Sequence, residues 1–489
     1  MKRCSWWVRC SSPLMTGRWR RKWWQNLNFH ALGVADMPEF CAEDLAEWSG
    51  GEWSEFPKQP VRSVSHDTRD LKSGALYVAL AGERVDGHDL IPLAREAGAA
   101  AALCRRGRAL EGFPCLEVKE TGKALENLAK GYRSSLQPAQ MIGITGSAGK
   151  TTVKDFTAAM LRAADSICST RGNWNNFIGL PLSLLSMESG HRFGVFELGM
   201  NHAGEISALA DILKPTCGLI TSIGEAHLEN LGSVEAIAEE KSSLLSSLPA
   251  DGFAVLDQDS PWFEFMKARC GCRSLTVSLE NDADYRGIQK GSVLEIIDRQ
   301  RKETFVLRIP LPGLHMLGNL LQAAAMAREC GCSPDAIAGG IQTYEPAPMR
   351  WQRLELGGYA FINDAYNANP LSMRKSVRTF SELEHAGPKW LVLGGMSELG
   401  AEEKSLHVET GTEVDAGEFE GVLLVGEKGG WIGEGISRSP VWKVGNAAEA
   451  AALIRARASG GTLFLLKASR SERLEKVLEE LQKSKEKTV

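Results

Sequence analysis

A lysine set just behind two closely spaced glycines, with two hydroxyl side chains directly after it, is a group of residues suited to holding a polyphosphate. The segment ITGSAGKTTVK, Ile144 to Lys154, carries that group. Backbone N–H groups in a glycine turn that opens a helix form an anion-binding nest. A lysine just beyond the nest reaches the β- and γ-phosphates of a nucleotide, and the next hydroxyl ligates Mg2+. Gly146, Ser147, Ala148, Gly149, Lys150, Thr151 and Thr152 supply those parts. Ile144 stands where the commoner G-x-x-x-x-G-K-[ST] pattern has glycine, so the loop is the shorter T-G-x-x-G-K-T-[ST] form. The bland alternative is a helix-capping turn. The apolar run MIGIT before the loop and the amphipathic stretch TTVKDFTAAMLRAA after it supply the strand and helix that a phosphate loop requires.

A bound triphosphate brings Mg2+, which takes oxygen ligands while keeping several waters. The run RFGVFEL brings Glu197 to the end of a predicted strand, and TSIGEAHLENLGS offers His227 after the next one. Each also has a structural reading, as a strand-end carboxylate and as a hydrogen-bonded loop histidine.

These residues need elements to position them. Short apolar runs alternate with amphipathic helices along most of the chain, which implies α/β architecture with parallel sheets whose sites lie at the strands' C-terminal ends. The runs ALYVAL and AAALC with the helix TGKALENLAKGYRSSL form a first unit, and QPAQ breaks the chain after it. MIGIT, RFGVFEL and CGLITSI form a second unit that closes with the helix NLLQAAAMAREC. After the Pro-broken YEPAPMRWQR, the runs YAFINDAYNANP, KWLVLGG, EGVLLVG and GTLFLLK form a third. The expected domains are 37–137, 138–343 and 344–489.

The bulk properties agree. A chain of 489 residues suits about three domains. Its 43% hydrophobic and 24% charged residues are ordinary for a globular protein, and a net charge of −5 gives no pointer to nucleic acid. No run of about 18 apolar residues predicts a membrane span. Eleven cysteines include Cys270/Cys272 and Cys330/Cys332, whose spacings differ from the C-x-x-C pairs of zinc sites. Free thiols in the reducing cytoplasm are the reading. Residues 1–36 differ: seven Lys/Arg and five Trp precede the first acid, Asp36. No apolar stretch follows to make a signal peptide. This segment reads as a disordered extension or an upstream stretch ahead of a natural start at Met37, with an arm for membrane or RNA as the alternative.

Several segments together resemble the Mur ligase family: TGSAGKTTVKD, TRGNWNNFIGLPLSLL, FELGMNHAGEI, AHLENLGS, DAYNANPLSM and GGMSELGAEEKSLH. Within the family, the pair ELGMNHAGEI and DAYNANP, with SHDTRDLKSGALYVALAGERVDGHD near the N-terminus, is most similar to the branch that joins D-alanyl-D-alanine to UDP-N-acetylmuramoyl-tripeptide. The resemblance implies an N-terminal UDP-substrate-binding α/β domain, a central P-loop ATPase-like domain with a parallel sheet, and a C-terminal Rossmann-like α/β domain. It implies a cytoplasmic monomer that uses ATP and two Mg2+ ions, with no nucleic acid partner and no integral membrane segment.

It also implies residue roles. Lys150 and Thr151 hold the phosphates and the first Mg2+, with Glu197 as a ligand; His227 ligates the second. Lys241, in AIAEEKSSLL, matches a lysine that is carbamylated into an anionic metal ligand. Asn173 and Asn176 match residues near the substrate and the γ-phosphate, and Asn319 matches an adenine-binding asparagine. Arg350 and Asp364 match residues that close over ATP, and Asn367 and Asn369 lie in the same YNAN loop. Ser65, Thr68 and Arg69 match a uridine-diphosphate site. Three positions depart from the family pattern. Met316 follows His315 where asparagine is usual, Gly395 replaces the aspartate of G-D-M, and Ala468 replaces the second residue of K-G-S-R. The implied chemistry is phosphorylation of the tripeptide carboxylate to an acyl phosphate, followed by attack of the dipeptide amine, with the third domain rotating to close. A sister ligase adding a diamino acid would share the loop but carries a DNPR-like motif that this chain lacks. Folylpolyglutamate synthase lacks the N-terminal domain. A non-ligating ATPase scaffold is the alternative from another class.

Overall fold

The computed structural model describes residues 38–483, and the reading of residues 1–36 as an extension lies outside them. Three sheets carry the α/β architecture. The first is ordered Glu52–Trp53, Cys115–Val118, Ala101–Arg105, Ala75–Val78, Ser63–Ser65 and is parallel except at its Glu52–Trp53 edge. Ala75–Val78 is buried at every position, as befits a strand covered on both faces.

The second sheet has nine strands. At its centre Gln140–Thr145 lies between Phe193–Glu197 and Cys217–Ile220, all parallel, so their C-terminal ends open on one side. Ile167–Ser169 flanks Phe193–Glu197, and Phe253–Asp257 and Arg273–Ser278 continue the parallel run on the other side. Beyond that parallel run the sheet carries an antiparallel extension. Tyr285–Lys290, Val293–Asp298 and Glu303–Arg308 pair antiparallel with one another. The cause is legible in their side chains. Val293–Asp298 alternates buried and half-buried residues, which suits a sheet with one wet face. Tight turns at Gly291 (φ 59°) and Lys302 (φ 54°) replace crossover helices.

The third sheet is ordered Gln352–Leu356, Tyr359–Asn363, Leu463–Lys467, Lys389–Leu393, Gly421–Val425, Val441–Val444, with only the Gln352–Leu356 edge antiparallel. Leu463–Lys467 and Gly421–Val425 are buried throughout. Three helices frame the strand ends at which the two larger sheets meet. Lys150–Arg162 leaves the phosphate loop, Leu314–Glu329 packs against it, and Pro370–Glu382 rises from the YNAN loop. No helix of the described residues is long and apolar enough to cross a membrane.

Candidate active site

A cavity of about 410 Å³ lies where the C-terminal ends of the second sheet meet loops of the third. Its floor is the phosphate loop. Gly146 sits at φ 149°, and a Cβ there would fall 2.1 Å from Thr221 Oγ1; Gly149 sits at φ 89°, with Asn319 Oδ1 2.8 Å from the place of a Cβ. Only glycine satisfies both the backbone angle and the close approach. The loop is tied down through its own amides: Ser147 N donates to Ser222 O (2.8 Å), and Ala148 N donates to Ser222 Oγ (3.0 Å). Ser147 and Ala148 therefore line the cavity but spend their N–H groups on the loop's shape. The first amides of the helix, from Lys150 on, are the ones a helix leaves without intrahelical partners.

Lys150 Nζ donates to Gly146 O at 2.7 Å. Burial lowers its pKa, and Glu197 opposes that by favouring the charge. Glu197 itself is 2% exposed. Its Oε2 accepts from Thr151 Oγ1 at 2.8 Å, and its Oε1 accepts from Asn175 Nδ2 at 2.8 Å. Asn175 is not singled out by the sequence, although it lies between the expected Asn173 and Asn176. All three asparagines and Thr152 line the cavity. Asn176 Oδ1 also accepts from Ile178 N and Gly179 N, just where the helix Gly179–Leu184 begins.

His227 lines the cavity in a left-handed backbone (φ 60°), and Glu398 of the third sheet comes within 2.5 Å of its Nδ1. Lys241, on the helix Val234–Ser246, is 1% exposed and is not among the residues that line the cavity. Among the described residues its amine has no ion pair. The neighbouring Glu240 is occupied instead by Gly204 N and Ile206 N, both at 2.7 Å. Burial, then the charge of Lys150, pushes the Lys241 pKa well below the usual lysine range.

The third sheet supplies the opposite wall. Arg350 stands between Met349 (φ 59°) and Trp351 (φ 55°), and its guanidinium lies 4.1 Å over the Tyr366 ring. Asp364 accepts from Lys467 Nζ and Ser376 Oγ, each at 2.7 Å, and from Trp351 N at 3.2 Å. It is held rigidly at the cavity edge. Asn319 is mostly buried against Gly149, and beside it burial pushes His315 down to about 4, so that the ring is neutral at pH 7. Asn367 lines the wall through the same loop, and its carbonyl accepts from Lys467 Nζ at 3.2 Å. Asn369, expected at the substrate, also lines the cavity. Its Oδ1 caps the helix Pro370–Glu382 at Ser372 N (2.8 Å) and its Nδ2 donates to Ser147 O (3.1 Å), so both polar atoms are engaged in holding the two walls together.

Ser65, Thr68 and Arg69 are not brought to this cavity. They sit where the first sheet's edge strand Ser63–Ser65 runs into a short turn of helix. Arg69 is 87% exposed and its guanidinium grips Asp67 through three hydrogen bonds (2.9, 3.2 and 2.6 Å), holding that carboxyl down at about 2. The two regions still touch. Asp70 pairs with Arg171 at 2.9 Å, and the His66 ring meets Trp174 edge-on at 5.9 Å, so the first sheet borders the GNWNN loop.

Three family profiles match the chain: "Mur ligase family, catalytic domain" over residues 60–135, "Mur ligase middle domain" over 144–327, and "Mur ligase, glutamate ligase domain" over 349–470. The UDP-N-acetylmuramoyl-tripeptide–D-alanyl-D-alanine ligase of Bacillus subtilis (strain 168) is 35% identical over 457 residues, covering 91% of this chain and 99% of that protein. The chain belongs to the Mur ligase family. The Escherichia coli (strain K12) ligase of the same name is 36% identical over 372 residues, 75% of this chain and 81% of its own length. Among solved structures, MurF from Acinetobacter baumannii superposes with a TM-score of 0.83 at 27% identity, covering 92% of this chain and all of that one. MurF ligase from Thermotoga maritima in complex with ADP gives 0.75 at 27% identity, covering 88% and 99%. The likeness to these Mur ligases therefore spans all three sheets.

Proposed function

We propose that this Mur ligase joins D-alanyl-D-alanine to UDP-N-acetylmuramoyl-tripeptide at the expense of ATP, a step in peptidoglycan precursor synthesis. The observation that carries the reading is the buried Thr151–Glu197 pair beside Lys150, at the mouth of a parallel sheet and facing a wall from another sheet. It is supported by relatives of that name matched over nearly their whole length.

A carboxylate resists attack by an amine, so it is first activated. A tripeptide carboxylate oxygen attacks the γ-phosphorus of ATP, the bond to ADP breaks, and an acyl phosphate forms. The amine then attacks the acyl carbon, and the tetrahedral intermediate collapses with loss of phosphate and a proton. Lys150 places positive charge against the transferring group. Groups of this kind act by positioning and charge stabilisation. Arg350, fixed over Tyr366, does the same from the opposite wall. Asp364, gripped by Lys467, keeps that wall in register. The first sheet, with Ser65, Thr68 and Arg69, holds the nucleotide-sugar beside the GNWNN loop; Arg69 is suited to a diphosphate once it leaves Asp67.

The residues also fit Mg2+. Thr151 Oγ1 and Glu197 Oε2 are a buried pair of oxygen donors 2.8 Å apart, the donor type this ion takes. Among the described residues no three His, Cys, Asp or Glu side chains cluster, so phosphate oxygens and water would have to complete the shell. His227 and Lys241 would hold a second ion. A Lys241 ammonium would repel it, whereas a neutral buried amine adds to CO2, losing a proton, and becomes a carbamate. Bound Mg2+ neutralises charge on the phosphates. The nine free cysteines among the described residues suit a reducing cytoplasm.

The test is product formation from ATP, D-alanyl-D-alanine and each of two tripeptides, ending in diaminopimelate or lysine, read by mass. Phosphate release that requires both peptides is expected. ATP hydrolysis without either, and no joined product, would overturn the reading.

A further inference from the structure

Most of the described thiols are out of reach of solvent. Cys104, Cys115, Cys168, Cys217 and Cys332 are buried, and the exposed Cys41 stands apart. Cys270 and Cys272 differ from these: both are partly exposed, and their Sγ atoms lie 3.6 Å apart. They occupy the turn between the helix Phe263–Arg269 and the strand Arg273–Ser278.

The residues on either side of the turn are anchored. Arg269 Nε donates to Glu239 Oε2 at 2.9 Å, its guanidinium lies 3.4 Å over the Phe265 ring, and its carbonyl accepts from Ser246 Oγ at 3.2 Å. Arg273 pairs with the buried Glu329. Between these anchors, Gly271 has open space where a Cβ would stand. The ends of the turn are fixed and its middle is unobstructed. That keeps the two sulfurs within reach of each other and leaves room for them to close to the about 2 Å of a disulfide bond.

We propose that Cys270 and Cys272 form a reversible dithiol–disulfide site, oxidised by a small-molecule disulfide. One protein thiol, as its thiolate, attacks a sulfur of the small disulfide and displaces a thiolate, which leaves a mixed disulfide. The second protein thiol gives its proton to solvent and attacks the first protein sulfur, which releases the other small thiolate. The protein loses two thiol hydrogens, and the small disulfide is reduced to two thiols. Burial, then the neighbouring Cys270 sulfur, pushes the Cys272 thiol up to about 12, which makes it a poor first nucleophile. It suits the second step, where contact with Cys270 replaces concentration. A ring closed across a single intervening residue is strained, and strained disulfides are the readily reduced ones. The site therefore stays a dithiol in reducing surroundings. Neither cysteine lines the cavity, so this chemistry is separate from the ligation reaction.

The probe is oxidised glutathione, added to the reduced full chain with reduced glutathione held at about 0.1 mM; an effective concentration in the mM range for groups on a short link then gives about a tenfold excess of ring over mixed disulfide. Remaining thiols are alkylated, and peptides are read by mass. The wild-type peptide holding both cysteines is expected to lose two hydrogens and to regain them with dithiothreitol. Cys272→Ser cannot close, and is expected to hold about 10-fold more glutathione adduct at Cys270 than wild type does. Exposed Cys41 is the internal control and is expected to carry only the adduct. Adduct that persists on the wild-type pair as fully as in Cys272→Ser would overturn the proposal. So would a pair left as thiols under conditions that load Cys41.

Discussion

Asn369 Nδ2 donates to Ser147 O at 3.1 Å across 222 positions of sequence, so one asparagine caps a helix of the third sheet and pins the phosphate loop of the second. Asn369→Ala removes both. Loss of an N-cap costs about 1 kcal/mol, and loss of a hydrogen bond about 0.5–1.5 kcal/mol. Denaturant unfolding should show a loss of that size, and the KM for ATP should rise. Asn369→Ala with an unchanged midpoint and unchanged KM would contradict the assignment.

Asn175 aims Glu197 at Thr151. Asn175→Ala leaves Glu197 Oε1 without its donor inside a closed wall. Partners of this kind cost about 10–100-fold in metal affinity or activity when removed. A Mg2+ titration of the ligation rate should move by that factor while the KM for D-alanyl-D-alanine stays put.

Lys241 is a buried amine with no ion pair among the described residues, a burden on folding. Lys241→Met should raise stability by about 1–3 kcal/mol, the scale of an unpartnered buried polar group, and should lower kcat by at least about 10²-fold, as loss of a charge-stabilising contact does. Wild type kept free of CO2 should lose activity and regain it with bicarbonate. A carbamate resonance from 13C-bicarbonate, absent in Lys241→Met, checks the chemistry directly.

Asp257, at the end of the strand Phe253–Asp257, has its pKa raised from 3.8 to about 6, chiefly by burial and with repulsion from Asp259 adding to it. The folded state therefore binds the proton more tightly than the unfolded chain. The associated stability is fully present below the unfolded value near 3.8 and is lost as pH rises through 6. A rise from 3.8 to about 6 is about two tenfold steps, or roughly 3 kcal/mol at 1.36 kcal/mol per step. Asp257→Asn should flatten the slope of unfolding free energy between about pH 4 and 6 and stabilise the protein by up to that amount at about pH 8. An unaltered slope would refute the burial argument.

Much of the fold is legible in the sequence because apolar runs and amphipathic stretches are local. MIGIT, CGLITSI and GTLFLLK form central strands, and TGKALENLAKGYRSSL forms the helix Thr121–Ser135. The antiparallel strands from Tyr285 onward are not legible in that way: they alternate in a region that reads as strand–helix repeats, and their pairing is set by turns at Gly291 and Lys302. In the site, the phosphate loop is readable because its parts are contiguous. Asn175, Lys467 and Glu398 are not, since each becomes a site residue only through a partner far along the chain: Glu197, Asp364 and His227.

By itself the sequence determined which short segments could be strands, helices or a phosphate-holding turn, because backbone propensity and glycine's freedom at positive φ act over a few residues. Only the tertiary structure decided that Lys241 is sealed from water, that Asn369 is a clamp, and that Arg69 is spent on Asp67 away from the cavity. Burial and pairing depend on which surfaces the three sheets turn toward one another. That choice is made by packing across hundreds of residues rather than by any local pattern.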